Sequence, residues 1–174
     1  MASRAPATAV PAYRAGAFAL LLALATILAA LAFERIGGYA PCPLCLMQRW
    51  AYYAGVPALF VALVLVASEW PRLAALLFFA VALGFLANAG LGVYHSGVEW
   101  GFWPGPDTCA ADLKPLGSGA GGLLDKLADA KVVRCDQAAW RFLGLSFAGW
   151  NVAASFVAFV AALQAAFGAS ARAA

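Results

Sequence analysis

Four long apolar runs decide what this chain can fold into. Residues 16–33 are uncharged and mostly apolar between Arg14 and Glu34, and comparable runs follow at 50–67, 73–94 and 143–167. A helix of about 20 apolar residues, at 1.5 Å per residue, crosses a hydrocarbon layer of about 30 Å. Only 11% of the 174 residues are charged, against roughly 25% in an ordinary soluble domain, and the mean hydropathy is +0.85. A soluble chain this short could not bury so much apolar surface. Lipid is therefore its expected solvent. The expected fold is an all-α membrane protein, a four-transmembrane-helix bundle forming one domain over residues 1–174. A cleavable signal peptide competes for the first run, but its apolar region is normally only about 7–15 residues, so an uncleaved span is expected.

Local features agree with this division. Residues 1–15 are rich in Ala and Pro and read as a tail. Pro57 falls inside the second run, where neighbouring helices can re-satisfy the freed carbonyl. Gly84, Asn88 and Gly92 recur every four residues, a spacing that lets helix backbones approach while Asn88 hydrogen-bonds across the contact. Trp50, Trp70 and Trp140 stand at predicted span ends, with Trp100 and Trp103 just beyond one, as interfacial indoles prefer. The net charge of +3 is small and dispersed, which gives no footprint for nucleic acid.

Four spans put both termini on one face. They put the short loop 34–49, with Cys42 and Cys45, and the long loop 95–141, with Cys109 and Cys135, on the other. Arginine density favours cytoplasmic termini, although the raw count does not. Thiols concentrated in two loops suit an oxidising face. Both termini are therefore expected in the cytoplasm and both cysteine loops outside it, which in a Gram-negative bacterium means the inner membrane with the loops periplasmic.

The chemistry concentrates in Pro41-Cys42-Pro43-Leu44-Cys45-Leu46-Met47-Gln48-Arg49. A Cys-x-x-Cys pair serves either as an exchangeable disulfide at a helix start or as half of a zinc site. The remaining cysteines, Cys109 and Cys135, are far apart and have no histidine beside them, so no metal is expected. Static disulfides are the blander alternative. Pro43 suits the first position of a helix, which would make Cys42 its N-cap and place Cys45 in its first turn. There, unpaired N–H groups and the helix dipole stabilise a thiolate. Arg49 lies four residues beyond Cys45 on the same face and can offer its charge to that sulfur, although anchoring to lipid headgroups is a common role for such an arginine. The N-cap argument favours Cys42 as the acidic sulfur, and Arg49 favours Cys45. His95, the single histidine, is expected just past the third span. There it is either a satisfied polar group or a hydrogen-bond donor to a ligand carbonyl. Glu99 is connected with a proton path by nearness in sequence alone.

This motif at the head of a second span, with a cysteine pair in the second outer loop, resembles the disulfide bond formation protein B (DsbB) family. The resemblance covers all four spans and both loops. The segment Tyr94-His95-Ser96-Gly97-Val98-Glu99-Trp100-Gly101-Phe102-Trp103-Pro104-Gly105-Pro106 resembles the corresponding stretch in a subset of that family. The resemblance implies a membrane thiol:quinone oxidoreductase. Such an enzyme re-oxidises a periplasmic thioredoxin-fold partner of the DsbA type and passes two electrons to ubiquinone or menaquinone. It implies that Cys109 is attacked by the partner's thiolate, that Cys135 then attacks Cys42, and that Cys45 is freed to face the quinone. It also implies that Arg49 and His95 are the quinone-side polar groups.

The glycine-rich stretch 117–122 reads as a joint that lets Cys109 and Cys135 change partners. Residues 123–130 read as a short amphipathic helix on the bilayer surface. Two other tetraspan readings remain. A scaffold protein with static disulfides gives no reason for Arg49 four residues after Cys45. A vitamin K epoxide reductase-like enzyme would carry its Cys-x-x-Cys near a later span.

Overall fold

The computed structural model describes residues 9–106 and 134–172. They form four long helices, α1 (Ala9–Arg35), α2 (Pro43–Ala67), α3 (Pro71–Glu99) and α4 (Phe147–Ser170). A two-stranded antiparallel hairpin, β1 (Arg141–Phe142) and β2 (Leu145–Ser146), leads into α4. All four helices are long and apolar enough to cross a membrane. Cys109 and the stretches 117–122 and 123–130 lie outside the described residues.

The helices close into a ring. The α3–α4 contact is the most extensive, α1–α4, α2–α3 and α1–α2 complete the circuit, and the diagonal pair α2–α4 barely touches. Small residues make this possible. Ala158, Ala161, Ala162, Ala165 and Ala169 of α4 are buried, and Phe78 and Phe85 of α3 fill the interior. Outward-facing Leu21, Phe60, Leu76 and Phe167 remain exposed, as lipid-facing positions should. Gly92 lies against α4, where an added Cβ would come within 2.8 Å of Val152. The expected stripe is only partly realised, because a Cβ on Gly84 would meet nothing within 4 Å.

The ends of the bundle sort as parity requires. Gly168 of α4 sits beside Ala12 of α1, and the Arg172 guanidinium donates to the Val66 carbonyl at 3.3 Å. The start of α1 and the end of α4 therefore share one end with the α2–α3 turn. The segment 36–42 and the hairpin share the other.

All four helices extend beyond their apolar runs at one end or both. The α2 helix begins at Pro43, not at residue 50, because proline is preorganised for a first helical position and Cys42 caps it. The α3 helix starts at Pro71 and continues to Glu99, so His95 is inside the helix and not in a loop. In its last turns His95 and Glu99 find partners within the bundle, so the helix outlasts its lipid-facing stripe. The α4 helix starts four residues later than its apolar run, at Phe147. Leu143 and Gly144 both have positive φ (52° and 82°) and form the two-residue turn of the hairpin.

Candidate redox site

The N-terminus of α2 builds the sulfur pair. Cys42 is extended (φ −76°, ψ 166°), and its Sγ accepts a hydrogen bond from the Cys45 N–H at 3.2 Å. This satisfies one of the donors that a helix start leaves unpaired. The same geometry brings the two sulfurs to 2.7 Å, within roughly 0.7 Å of disulfide bonding distance. Cys42 is buried, while Cys45 is partly exposed.

Two helices supply the partners. The His95 Nε2 of α3 lies 3.6 Å from the Cys42 sulfur, and its Nδ1 meets the Gln48 amide at 2.9 Å. One turn further, the Glu99 carboxylate approaches His95 Nε2 at 3.9 Å. Its other oxygen accepts a hydrogen bond from the Ser146 hydroxyl. Ser146 also caps α4, accepting from the Gly149 N–H at 3.3 Å. Cys135 is buried in one cluster with Cys42, Leu44 and Val98, and is disulfide-bonded. A residue from the long loop is thus packed into the cluster that holds Cys42.

These contacts set the acidity of the first sulfur. The Cys42 thiol is held well below the ordinary thiol range, at about 5. Its hydrogen bond with the Cys45 thiol is the main cause; His95 adds a hydrogen bond and a favourable charge interaction, and burial opposes both. This direction agrees with the N-cap reading of Cys42. The structure directs Arg49 elsewhere: its guanidinium is ion-paired with Glu34 at the end of α1.

Among the described residues, Cys42, Cys45 and His95 could offer three metal-ligand atoms within 4.8 Å of one another. Two thiolates bound at ~2.3 Å to one tetrahedral zinc would stand about 3.8 Å apart. The observed 2.7 Å suits a sulfur–sulfur bond better.

A cavity of about 470 Å³ opens beside the pair, within the size range of small-molecule sites. Phe33, Tyr39, Trp140 and Phe147 form an aromatic wall, with Trp140 stacked on Phe147 at 4.9 Å. Both cysteines, Gln48, Arg49, Tyr52, His95 and Glu99 also line it. An apolar wall with a few convergent donors beside a reactive sulfur fits a flat, apolar ring that carries hydrogen-bond acceptors.

Of the six expected site residues, Cys42, Cys45, Arg49 and His95 come together at this cavity, and Cys135 lies in the same buried cluster as Cys42. Cys109 lies outside the described residues. Gln48, Ser146 and Tyr52 were missed. Gln48 stood inside the motif as a polar residue entering an apolar run, and Ser146 stood just before the last helix as a potential cap. Both signals were available. Tyr52 offered none that separates it from an interfacial aromatic.

Comparison with known proteins bears on this arrangement. The family model described as "Disulfide bond formation protein DsbB" matches residues 13–165. A protein of Methylococcus capsulatus named disulfide bond formation protein B is 36% identical over 135 residues, covering 75% of this chain and 79% of that protein. No solved structure gives a significant match.

Proposed function

The chain belongs to the DsbB family and is accordingly a membrane oxidoreductase of disulfide bond formation; from this premise we propose that it re-oxidises a DsbA-type thioredoxin-fold partner and delivers the electrons to membrane quinone. The observation that carries the proposal is the sulfur pair at 2.7 Å on the wall of an apolar cavity, with Cys135 in the same buried cluster as Cys42.

The relay consists of thiol–disulfide exchanges. The partner's thiolate attacks Cys109, forms a mixed disulfide and releases Cys135 as a thiolate. Cys135 attacks Cys42 and releases Cys45. The partner's second thiol then breaks the mixed disulfide, and the partner leaves oxidised. Freed Cys109 attacks Cys135, which restores the Cys109–Cys135 bond and leaves Cys42 and Cys45 as a dithiol. A bound quinone supplies a two-electron, two-proton acceptor. Cys45 faces that acceptor because it lines the cavity and is the more exposed residue of the pair, whereas Cys42 lies in one buried cluster with Cys135. Arg49 and His95 are the polar groups on the acceptor side, with Arg49 held in place by Glu34. The acidity of Cys42 stabilises the dithiol form, which makes the pair a stronger oxidant. A partner with a potential near −120 mV demands such strength.

The cysteine loops belong on the periplasmic side and both termini in the cytoplasm; a reporter fused after Ala174 tests this by being active only if cytoplasmic. The function itself is tested on purified protein given a reduced thioredoxin-fold dithiol protein and ubiquinone, with quinone absorbance followed. Wild-type protein consumes quinone. An absence of consumption overturns the proposal.

A further inference from the structure

Glu99 has no part in the exchanges just described, yet it is built into the site. Its side chain is 5% exposed and is fixed from α4 by the Ser146 hydroxyl. Its free oxygen stands 3.9 Å from the nitrogen of His95 that also lies 3.6 Å from Cys42 Sγ. One imidazole nitrogen therefore lies between a sulfur and a carboxylate. The other ring nitrogen faces Gln48, whose amide can present either its oxygen or its N–H₂. Gln48 thus accommodates Nε2 both with and without its proton, as a proton carrier requires. Among the described residues, the other charged groups that act on Glu99 are the sulfurs and Arg141 of β1.

Charge balance gives this arrangement a purpose. Reduction of the Cys42–Cys45 disulfide creates a thiolate at Cys42, in a buried place where a second anion is strongly unfavourable. An ionised Glu99 would be that second anion.

We propose that Glu99 takes up, through His95 Nε2, the proton left over when the Cys42–Cys45 pair is reduced, and returns it when the pair is re-oxidised. The inference rests on the redox reading of the pair. The step balances as follows. A dithiol donor gives up two electrons and two protons and becomes a disulfide. The Cys42–Cys45 bond breaks, Cys45 keeps one proton as a thiol, and Cys42 remains a thiolate. The second proton converts the Glu99 carboxylate into a carboxylic acid. On re-oxidation the sulfur–sulfur bond re-forms, and two electrons and both protons leave together for the acceptor. The site then changes its charge in neither half of the cycle.

Proton counting during reduction tests this without any quinone. Full-length wild type and Glu99→Gln, oxidised and in weakly buffered detergent solution near pH 7, are reduced with a small dithiol whose own thiols are protonated. Proton release is read with an indicator dye, and reduction of the pair is read by thiol labelling. Glu99→Gln should release one more proton per chain than wild type, because its thiolate has no internal acceptor. Equal counts, or fewer protons from the variant, overturn the proposal. A pair that the dithiol does not reduce overturns the redox reading first, and the labelling reports that outcome separately. Should Glu99→Gln fail to fold, infrared difference spectra of wild type decide the question. Reduction should produce the carbonyl stretch of a protonated carboxylic acid, and its absence contradicts a proton held on Glu99.

Discussion

Two buried polar clusters tie the same three helices together, and they do different work. Midway along the bundle, Tyr52 of α2 donates to Asn151 of α4 at 2.8 Å, and Asn88 of α3 donates to Ser155 of α4 at 2.9 Å. Tyr52 and Ser155 also meet at 2.9 Å. These amides and hydroxyls mostly satisfy one another, and none of them carries charge at neutral pH. At the end of the bundle, Cys42, Gln48, His95, Glu99 and Ser146 again join α2, α3 and α4. This second cluster contains a thiol pair, an imidazole and a carboxylate, and it borders a cavity. The first cluster specifies how the helices pack. In the proposed function the second holds protons and electrons, and its groups change state.

That contrast can be broken by substitution, beginning with the largest effect. Cys45→Ser should reduce quinone consumption to the uncatalysed background while leaving thermal unfolding in detergent nearly unchanged. Ser155→Ala should do the reverse, losing stability but keeping its activity per folded chain. His95→Ala should raise the Cys42 thiol pKa, since His95 lowers it by a hydrogen bond and by charge, read from the pH dependence of alkylation. Arg49→Ala removes a charge-assisted donor, an interaction worth roughly 1.5–3 kcal/mol. It should raise the KM for quinone by about tenfold or more and leave thiol exchange with the partner intact; equal damage to both half-reactions would remove Arg49 from the acceptor side. Asn88→Ala should cost ~0.6 kcal/mol and at most about 1.7 kcal/mol, the range of hydrogen bonds between membrane helices. A large loss of activity per folded chain in Asn88→Ala would erase the distinction between the clusters.

The sequence carried these two regions unequally. Bundle architecture was legible because lipid imposes a simple rule: runs long enough to span, with Asn88 and Gly92 on a contact face. The N-cap position of Cys42 followed from Pro43. The ends of the helices were not legible, since hydropathy marks the part facing lipid, whereas helix length depends on partners found in the folded state. His95 was placed in a loop for that reason. Arg49 illustrates the same point. Its spacing from Cys45 was visible, but its ion pair with Glu34 bridges α1 and α2 and exists only once those helices pack. The hairpin was missed because Leu143 gives no turn signal and a two-residue strand has too little pattern to detect.

The acidity of Cys42 joins the local geometry to the redox role, and its sign is definite. A lowered thiol pKa stabilises the dithiol form of the pair. The gain is complete above the ordinary thiol value of ~8.5, shrinks as pH falls, and is lost below about 5. The most direct measurement is the alkylation rate of Cys42 in the fully reduced, full-length protein as a function of pH, with the modified residue identified by mass spectrometry. The rate should be level at neutral pH and fall to half near pH 5. A midpoint near ~8.5 would mean that neither the Cys45 thiol nor His95 activates this sulfur, and would contradict the account.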